Sequence, residues 1–226
     1  LVNPPGFSGY PQPPMGLIQL AAVIESKGHH VTIIDAGALN LRAADIPPLL
    51  EETDVLGLTA MTPTASRAIE IAAEVKNSRP ELPVILGGPH ATLLPYETME
   101  VTQDIDIIVR GEAEESFVTL LRAIEKNGSV EDVPGIIWEK DGQFVENEAA
   151  PYIEDLDALP FLAYHLIPMD KYRPHPPHGR AFPFAVLITS RGCPYNCAYC
   201  SKPVFGRKFR AQSPGRVVDE IVDLQS

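Results

Sequence analysis

Short apolar runs alternating with helix-patterned stretches constrain this chain more than any other feature. Leu1-Val2, then Val31-Thr32-Ile33-Ile34-Asp35, Val55-Leu56-Gly57-Leu58-Thr59, Val84-Ile85-Leu86-Gly87-Gly88 and the run at 105–109 are each too short for a helix and too continuously apolar for a half-exposed strand. Between them lie helical patterns. Residues 15–27 carry apolar side chains at 15, 17, 18, 20, 21 and 24 and stop at Gly28. A short helix is expected near 46–52. A longer one is expected at 65–78, with Thr64 as its cap and Pro80 as its stop. Two more are expected at 91–99 and at 114–126, the last closed by Asn127-Gly128.

Strands buried on both faces and separated by helices imply a parallel sheet with helices on both sides, because parallel strands need crossover connections. The fold class expected is α/β, a flavodoxin- or Rossmann-like doubly wound parallel sheet of order 2-1-3-4-5. The rhythm then changes. Gly135-Ile136-Ile137-Trp138-Glu139-Lys140 and Gln143-Phe144-Val145-Glu146 flank Asp141-Gly142, the pattern of a β-hairpin. Residues 151–183 contain seven prolines and no clear period, so they are expected as a connector on the surface of two domains. Ala185-Val186-Leu187-Ile188-Thr189-Ser190 is expected as a buried strand, and an apolar stripe over 216–224 as a helix. Strand, loop and helix would form the first β/α unit of a truncated barrel. The domains expected are 1–128, a hairpin and proline-rich linker at 129–183, and the start of a barrel at 184–226. The chain opens at Leu1 without methionine and closes within an expected helix, so it is expected to be a piece of a longer protein.

Eighteen basic against 30 acidic side chains leave a formal charge of −12, which argues against non-specific binding to nucleic acid or anionic lipid. No apolar run approaches the length of a bilayer span.

All three cysteines fall in Cys193-Pro194-Tyr195-Asn196-Cys197-Ala198-Tyr199-Cys200, spaced C-x₃-C-x₂-C. An odd and sparse count does not suit a disulfide framework. Three thiolates so close can hold three irons of a cubane cluster and leave the fourth iron open, where four would close it. Zinc is a competing reading that needs a fourth ligand, for which His175 and His178 are near in sequence. A structural role in a turn-rich loop is another. Unpaired thiols and an oxygen-sensitive cluster would place the protein in a reducing cytoplasm.

The cysteine spacing, with Tyr199 just before the last cysteine, resembles the radical S-adenosylmethionine superfamily. The loops at the carboxyl ends of the expected strands resemble the cobalamin-binding domain that precedes the barrel in many of those enzymes. Asn3-Pro4-Pro5, Thr59-Ala60-Met61-Thr62, Gly87-Gly88-Pro89-His90 and Gly111-Glu112 stand where that family has them. The D-x-H-x-x-G element of other corrinoid proteins is missing, so the resemblance implies a cobalt without a histidine below it. It also implies a corrin tail beside strands three to five with Gly87 and Gly88 making room, and Met61 and Thr62 facing the corrin's lower side.

The architecture is similar to that of the anaerobic cyclase of Mg-protoporphyrin monomethyl ester. The resemblance implies three cofactors: a [4Fe-4S] cluster on Cys193, Cys197 and Cys200, S-adenosylmethionine on its open iron with Tyr199 near the adenine, and cobalamin. It implies a 5′-deoxyadenosyl radical acting on an unactivated carbon of a small-molecule substrate, with methyl transfer or oxidative cyclisation to follow. An external one-electron reductant of ferredoxin or flavodoxin type would feed the cluster. The chain alone is expected to be inactive. Two other readings remain: a corrinoid carrier without radical chemistry, and a radical enzyme whose Rossmann-like domain binds no corrinoid.

Overall fold

The computed structural model describes residues 1–6, 11–174, 184–202 and 204–225. Its main sheet has seven strands. Five are parallel: β1 (Val2–Asn3), β2 (Ile34–Asp35), β3 (Leu56–Thr59), β4 (Val84–Gly87) and β5 (Ile107–Val109), in the order β2-β1-β3-β4-β5 expected from the sequence. Beyond β5 the hairpin β6 (Ile136–Lys140) and β7 (Gln143–Glu146) continues the same sheet antiparallel. Asp141 and Gly142 both have positive φ, as a two-residue turn between right-twisted strands requires.

Side chains alternate between the two faces, and each face has its own core. On one, Leu56, Leu58, Val84, Leu86 and Ile108 meet α2 (Ala65–Ser78), whose Ala68, Ile71, Ala72 and Val75 are buried. Two short helices, α3 (Gly88–Leu93) and α4 (Pro95–Val101), lie on this face too, through Ala91 and Met99. On the other face Ile85, Ile107 and Val109 meet α1 (Met15–Ser26) and α5 (Glu114–Glu125). Gly57 faces that side because there is no room for more: a Cβ would lie 2.6 Å from the Leu1 side chain and 3.1 Å from Phe117.

Four expectations are corrected. The single helix at 91–99 is two, since Pro95 has no N–H to continue the first and opens the second. The helix near 46–52 is a pair of 3₁₀ turns, Ala43–Asp45 and Pro47–Leu50, for the same reason. The connector is not superficial over its described part. Leu156, Leu162, Tyr164, Ile167 and Tyr172 are buried, four of them in the core that α1 also enters, Ala163 N–H donates to the Ile18 carbonyl (3.4 Å), and the Gln19 amide donates to the Pro160 carbonyl (3.2 Å). Its apolar residues lack a period because each enters the core at a separate turn.

The fourth correction concerns the stretch before the cysteines. Only β8 (Ser190–Arg191) is a strand; it pairs antiparallel with β9 (Arg210–Ala211), and residues 185–189 are not in a sheet. Among the described residues β9 is its one partner, so the ladder extends no further. A helix, α6 (Pro214–Asp223), follows, with the Ser213 hydroxyl accepting from Arg216 N–H (3.2 Å) as its N-cap. His175 and His178 lie outside the described residues.

Candidate functional site

The carboxyl ends of β1, β3, β4 and β5 open onto one cleft of about 1230 Å³. That is larger than the roughly 300–1,000 Å³ usual for small ligands, and suits a macrocycle. Its floor is apolar, with Leu58, Ile85 and Val109 among the lining residues. Asn3 and Thr59 supply polar groups at the rim. Of the residues singled out in the sequence, Asn3, Pro4, Pro5, Thr59, Met61, Gly87, Gly88, Pro89, Gly111, Glu112, Cys193 and Cys200 line this single cleft. Ala60, Thr62, His90, Cys197 and Tyr199 do not.

The wall between β3 and β4 is set by backbone bonds. Ala60 N–H donates to the Gly87 carbonyl (3.0 Å), and His90 N–H to the Ala60 carbonyl (2.9 Å). Gly88 has a φ of +91°, and a Cβ there would lie 2.6 Å from the Thr59 hydroxyl and 2.9 Å from the Ala60 carbonyl. Its glycine is required by that positive φ and by the close approach of the loop after β3. Gly87 differs: a Cβ would meet nothing closer than the Val109 carbonyl at 3.6 Å, so its bareness leaves space in the cleft. His90 Nδ1 lies 3.3 Å from the Thr62 hydroxyl, and burial holds the imidazole below its ordinary pKa. Met61 is 62% exposed at the cleft mouth.

Two contacts that shape the cleft had no sequence signature. Arg67, in the first turn of α2, donates to the Pro5 and Gly6 carbonyls (2.6 and 2.7 Å) and pins the proline loop after β1. Asp35, at the end of β2, accepts from Gly37 and Ala38 N–H (3.1 Å each) and from the Tyr172 hydroxyl (2.9 Å). Burial first, and the Asp35 charge second, hold the Tyr172 phenol above its ordinary range, so it stays a donor.

Glu112 has a role the sequence did not disclose. Its carboxylate is buried and takes two hydrogen bonds from the Arg210 guanidinium (2.5 and 3.0 Å) and one from Ile153 N–H (2.8 Å). Arg191 lies 3.6 Å from the same carboxylate and donates to Glu114 at 2.5 Å. All four side chains are nine-tenths or more buried. Arg191 and Arg210 face each other across the β8–β9 pair. The loop after β5 is thereby clamped to the hairpin that carries the cysteines.

The cysteines themselves are free thiols, all exposed. Cys193 N–H donates to the Gly206 carbonyl (3.3 Å) and Cys200 N–H to that of Cys197 (3.1 Å). Tyr199 is 92% exposed. Among the described residues no three His, Cys, Asp or Glu side chains are gathered as a metal site. The donor set fits an iron–sulfur cluster in its chemistry, three soft sulfurs within eight residues without a carboxylate among them. Its convergence would come with the metal, as ligand loops commonly close on what they bind.

The B12 binding domain family model matches residues 7–121. An uncharacterised methyltransferase of Pyrococcus horikoshii is 36% identical over 98% of this chain and 49% of its own length. The anaerobic magnesium-protoporphyrin IX monomethyl ester cyclase of Rubrivivax gelatinosus is 33% identical over 92% of this chain and 38% of its own. Among solved structures, the cobalamin-dependent S-adenosylmethionine radical enzyme OxsB with aqua-cobalamin bound superposes with a TM-score of 0.81 at 18% identity, over 99% of this chain and 31% of that one. The radical S-adenosylmethionine methyltransferase TsrM of Kitasatospora setae, with cobalamin and a [4Fe-4S] cluster bound, gives 0.70 at 20% identity, over 99% and 44%. The chain thus spans about half, or less, of the proteins it matches. It belongs to the B12-binding domain family, is related along nearly its whole length to that methyltransferase and that cyclase, and shares the fold of those two cobalamin-bound structures.

Proposed function

We propose that this chain binds cobalamin in the cleft at the carboxyl ends of β1, β3, β4 and β5, and that Cys193, Cys197 and Cys200 hold a [4Fe-4S] cluster with S-adenosylmethionine on its open iron. It would be part of a cytoplasmic enzyme that methylates or oxidatively cyclises an unactivated carbon of a small molecule, fed by an external one-electron reductant of ferredoxin or flavodoxin type. When bound, the cluster and S-adenosylmethionine supply a carbon radical, and the corrinoid supplies a methyl group or supports ring closure.

The observation that carries this reading is the shared cleft: the corrinoid-type loops and Cys193 and Cys200 line one continuous cavity. The residues divide the work. Leu58, Ile85 and Val109 give a floor that excludes water. Gly87 leaves a bare wall, while Asn3 and Thr59 offer hydrogen bonds at the rim. The Glu112–Arg210 clamp holds the cysteine hairpin over that wall.

Titration with hydroxocobalamin tests the corrinoid half. The chain should retain the corrin through gel filtration with a shifted absorbance, and Gly87→Leu should cut retention by about tenfold or more by filling the open wall. An unchanged corrin spectrum with no retention would sink it. Anaerobic loading with iron and sulfide tests the other half: iron uptake should vanish in Cys197→Ala, and uptake of zinc in preference to iron would overturn the cluster.

A further inference from the structure

One basic side chain in this cleft has no partner among the described residues. Lys202 follows Cys200 by two residues and, unlike the exposed cysteine, turns inward to line the cleft. Its Nζ is buried and makes no hydrogen bond among the described residues. Arg191 Nη1, on the same cleft, is buried without a hydrogen bond among the described residues, though it lies 3.6 Å from the Glu112 carboxylate; its other terminal nitrogen is the one that holds Glu114. Lys202 O accepts from Gly206 N–H (2.9 Å), the Phe205 ring lies 5.6 Å from the Arg191 guanidinium, and the Phe205 carbonyl accepts from Arg210 (3.0 Å).

The protein's own acids do not answer this charge. Glu112 is saturated by Arg210 and Ile153, and Glu114 is held by Arg191. The sequence offers no other nearby in the chain: residues 191–218 hold six basic side chains and not one Asp or Glu, although the whole chain carries −12. A buried ammonium without a partner is strongly unfavourable, so such a group implies an anion that arrives from outside.

We propose that Lys202 forms an anion site in the wall of the cleft that Arg191 and Cys200 also line, holding the carboxylate or phosphate of a bound ligand. Resting on the cleft reading above, it has two sources to draw on: the nucleotide phosphate of a corrinoid or the carboxylate of an S-adenosyl amino acid.

The test uses the chain as it stands with Lys202→Met and Lys202→Arg. Without ligand, Lys202→Met should unfold at a higher temperature than the wild type, because it keeps the apolar stem and removes an unanswered charge. Inorganic phosphate should raise the midpoint of the wild type and of Lys202→Arg but not of Lys202→Met. Equilibrium dialysis then assigns the source. A loss of about tenfold or more for hydroxocobalamin but not cobinamide, which lacks the phosphate, gives the corrinoid. The same loss for S-adenosylhomocysteine but not 5′-methylthioadenosine gives the amino-acid carboxylate. The proposal is overturned if Lys202→Met is the less stable protein, or if phosphate shifts both proteins alike. If the wild type binds no corrinoid yet still responds to phosphate through Lys202, the cofactor reading fails and the anion site stands.

Discussion

The parallel sheet and the cysteine hairpin are held by opposite means. The sheet is laddered through β3 and β4 over four residue pairs and sandwiched between two apolar cores. The hairpin β8–β9 pairs over two, carries its cysteine side chains in the open, and is fastened by two arginines on two buried glutamates. Apolar packing is non-directional and tolerant, whereas a buried charge pair fixes one geometry and fails sharply when one member is lost. The sheet side of the cleft is therefore a property of the fold. The distance from it to the cysteines is a property of a few charges.

The strongest way to break this contrast is to remove one of those charges. Glu112→Ala leaves Arg210 buried and unpaired and should cost about 3–5 kcal/mol in urea unfolding, with new protease cleavage within 191–210. Adding Arg210→Met should restore most of that loss. A single-variant cost below about 1 kcal/mol would mean the clamp does not hold the hairpin. Within the sheet, Gly88→Ala should cost about 2–3 kcal/mol, from its positive φ and the contact with Thr59, while Gly87→Ala should stay under about 1 kcal/mol. Equal costs at the two glycines would refute the division between them. Tyr172→Phe, which removes one of the three donors to the buried Asp35 carboxylate, should cost about 1.5 kcal/mol and show that the connector is part of the sheet's core.

The smallest effects sharpen the comparison from the other side. Cys197→Ala should change the unfolding midpoint of the metal-free chain by less than about 0.5 kcal/mol equivalent and leave corrin retention intact, because an exposed thiol packs against nothing. Glu146 provides a pH test on the hairpin beside β5. The Tyr96 hydroxyl foremost, then the Arg110 charge, hold its carboxyl below the usual range. A carboxyl depressed on folding stabilises above its unfolded pKa, and that contribution is lost as pH falls through the folded one. Glu146→Gln should therefore lower the neutral plateau of the stability profile and flatten its acid limb.

The sheet was legible because its information is local. Five short apolar runs set between amphipathic stretches leave few arrangements, and the observed order of the parallel strands is the expected one. The helix at Ala65–Ser78 ends where Pro80 approaches. The cysteine spacing was equally plain. What could not be read were contacts between residues distant in sequence. Glu112 meets Arg210 98 residues on, Tyr172 reaches Asp35 across 137, and Arg67 holds the loop of Pro5. None of these carries a period or a motif. Strand length at 185–190 was overestimated because a run of β-branched and apolar residues reports a preference, and a strand needs a partner to realise it.

The hairpin beyond β5 also determines how the sheet meets other molecules. An all-parallel sheet would end in a strand whose free N–H and C=O groups invite another chain to add itself. Here the outermost strand on that side, β7, is four residues long and ends in Glu146, bonded to Tyr96 and Arg110, while Lys140 of its neighbour is paired with Glu131. At the opposite margin β2 offers only two residues. With one margin charged and the other cut short, the sheet presents no flat ribbon long enough to template stacking between copies.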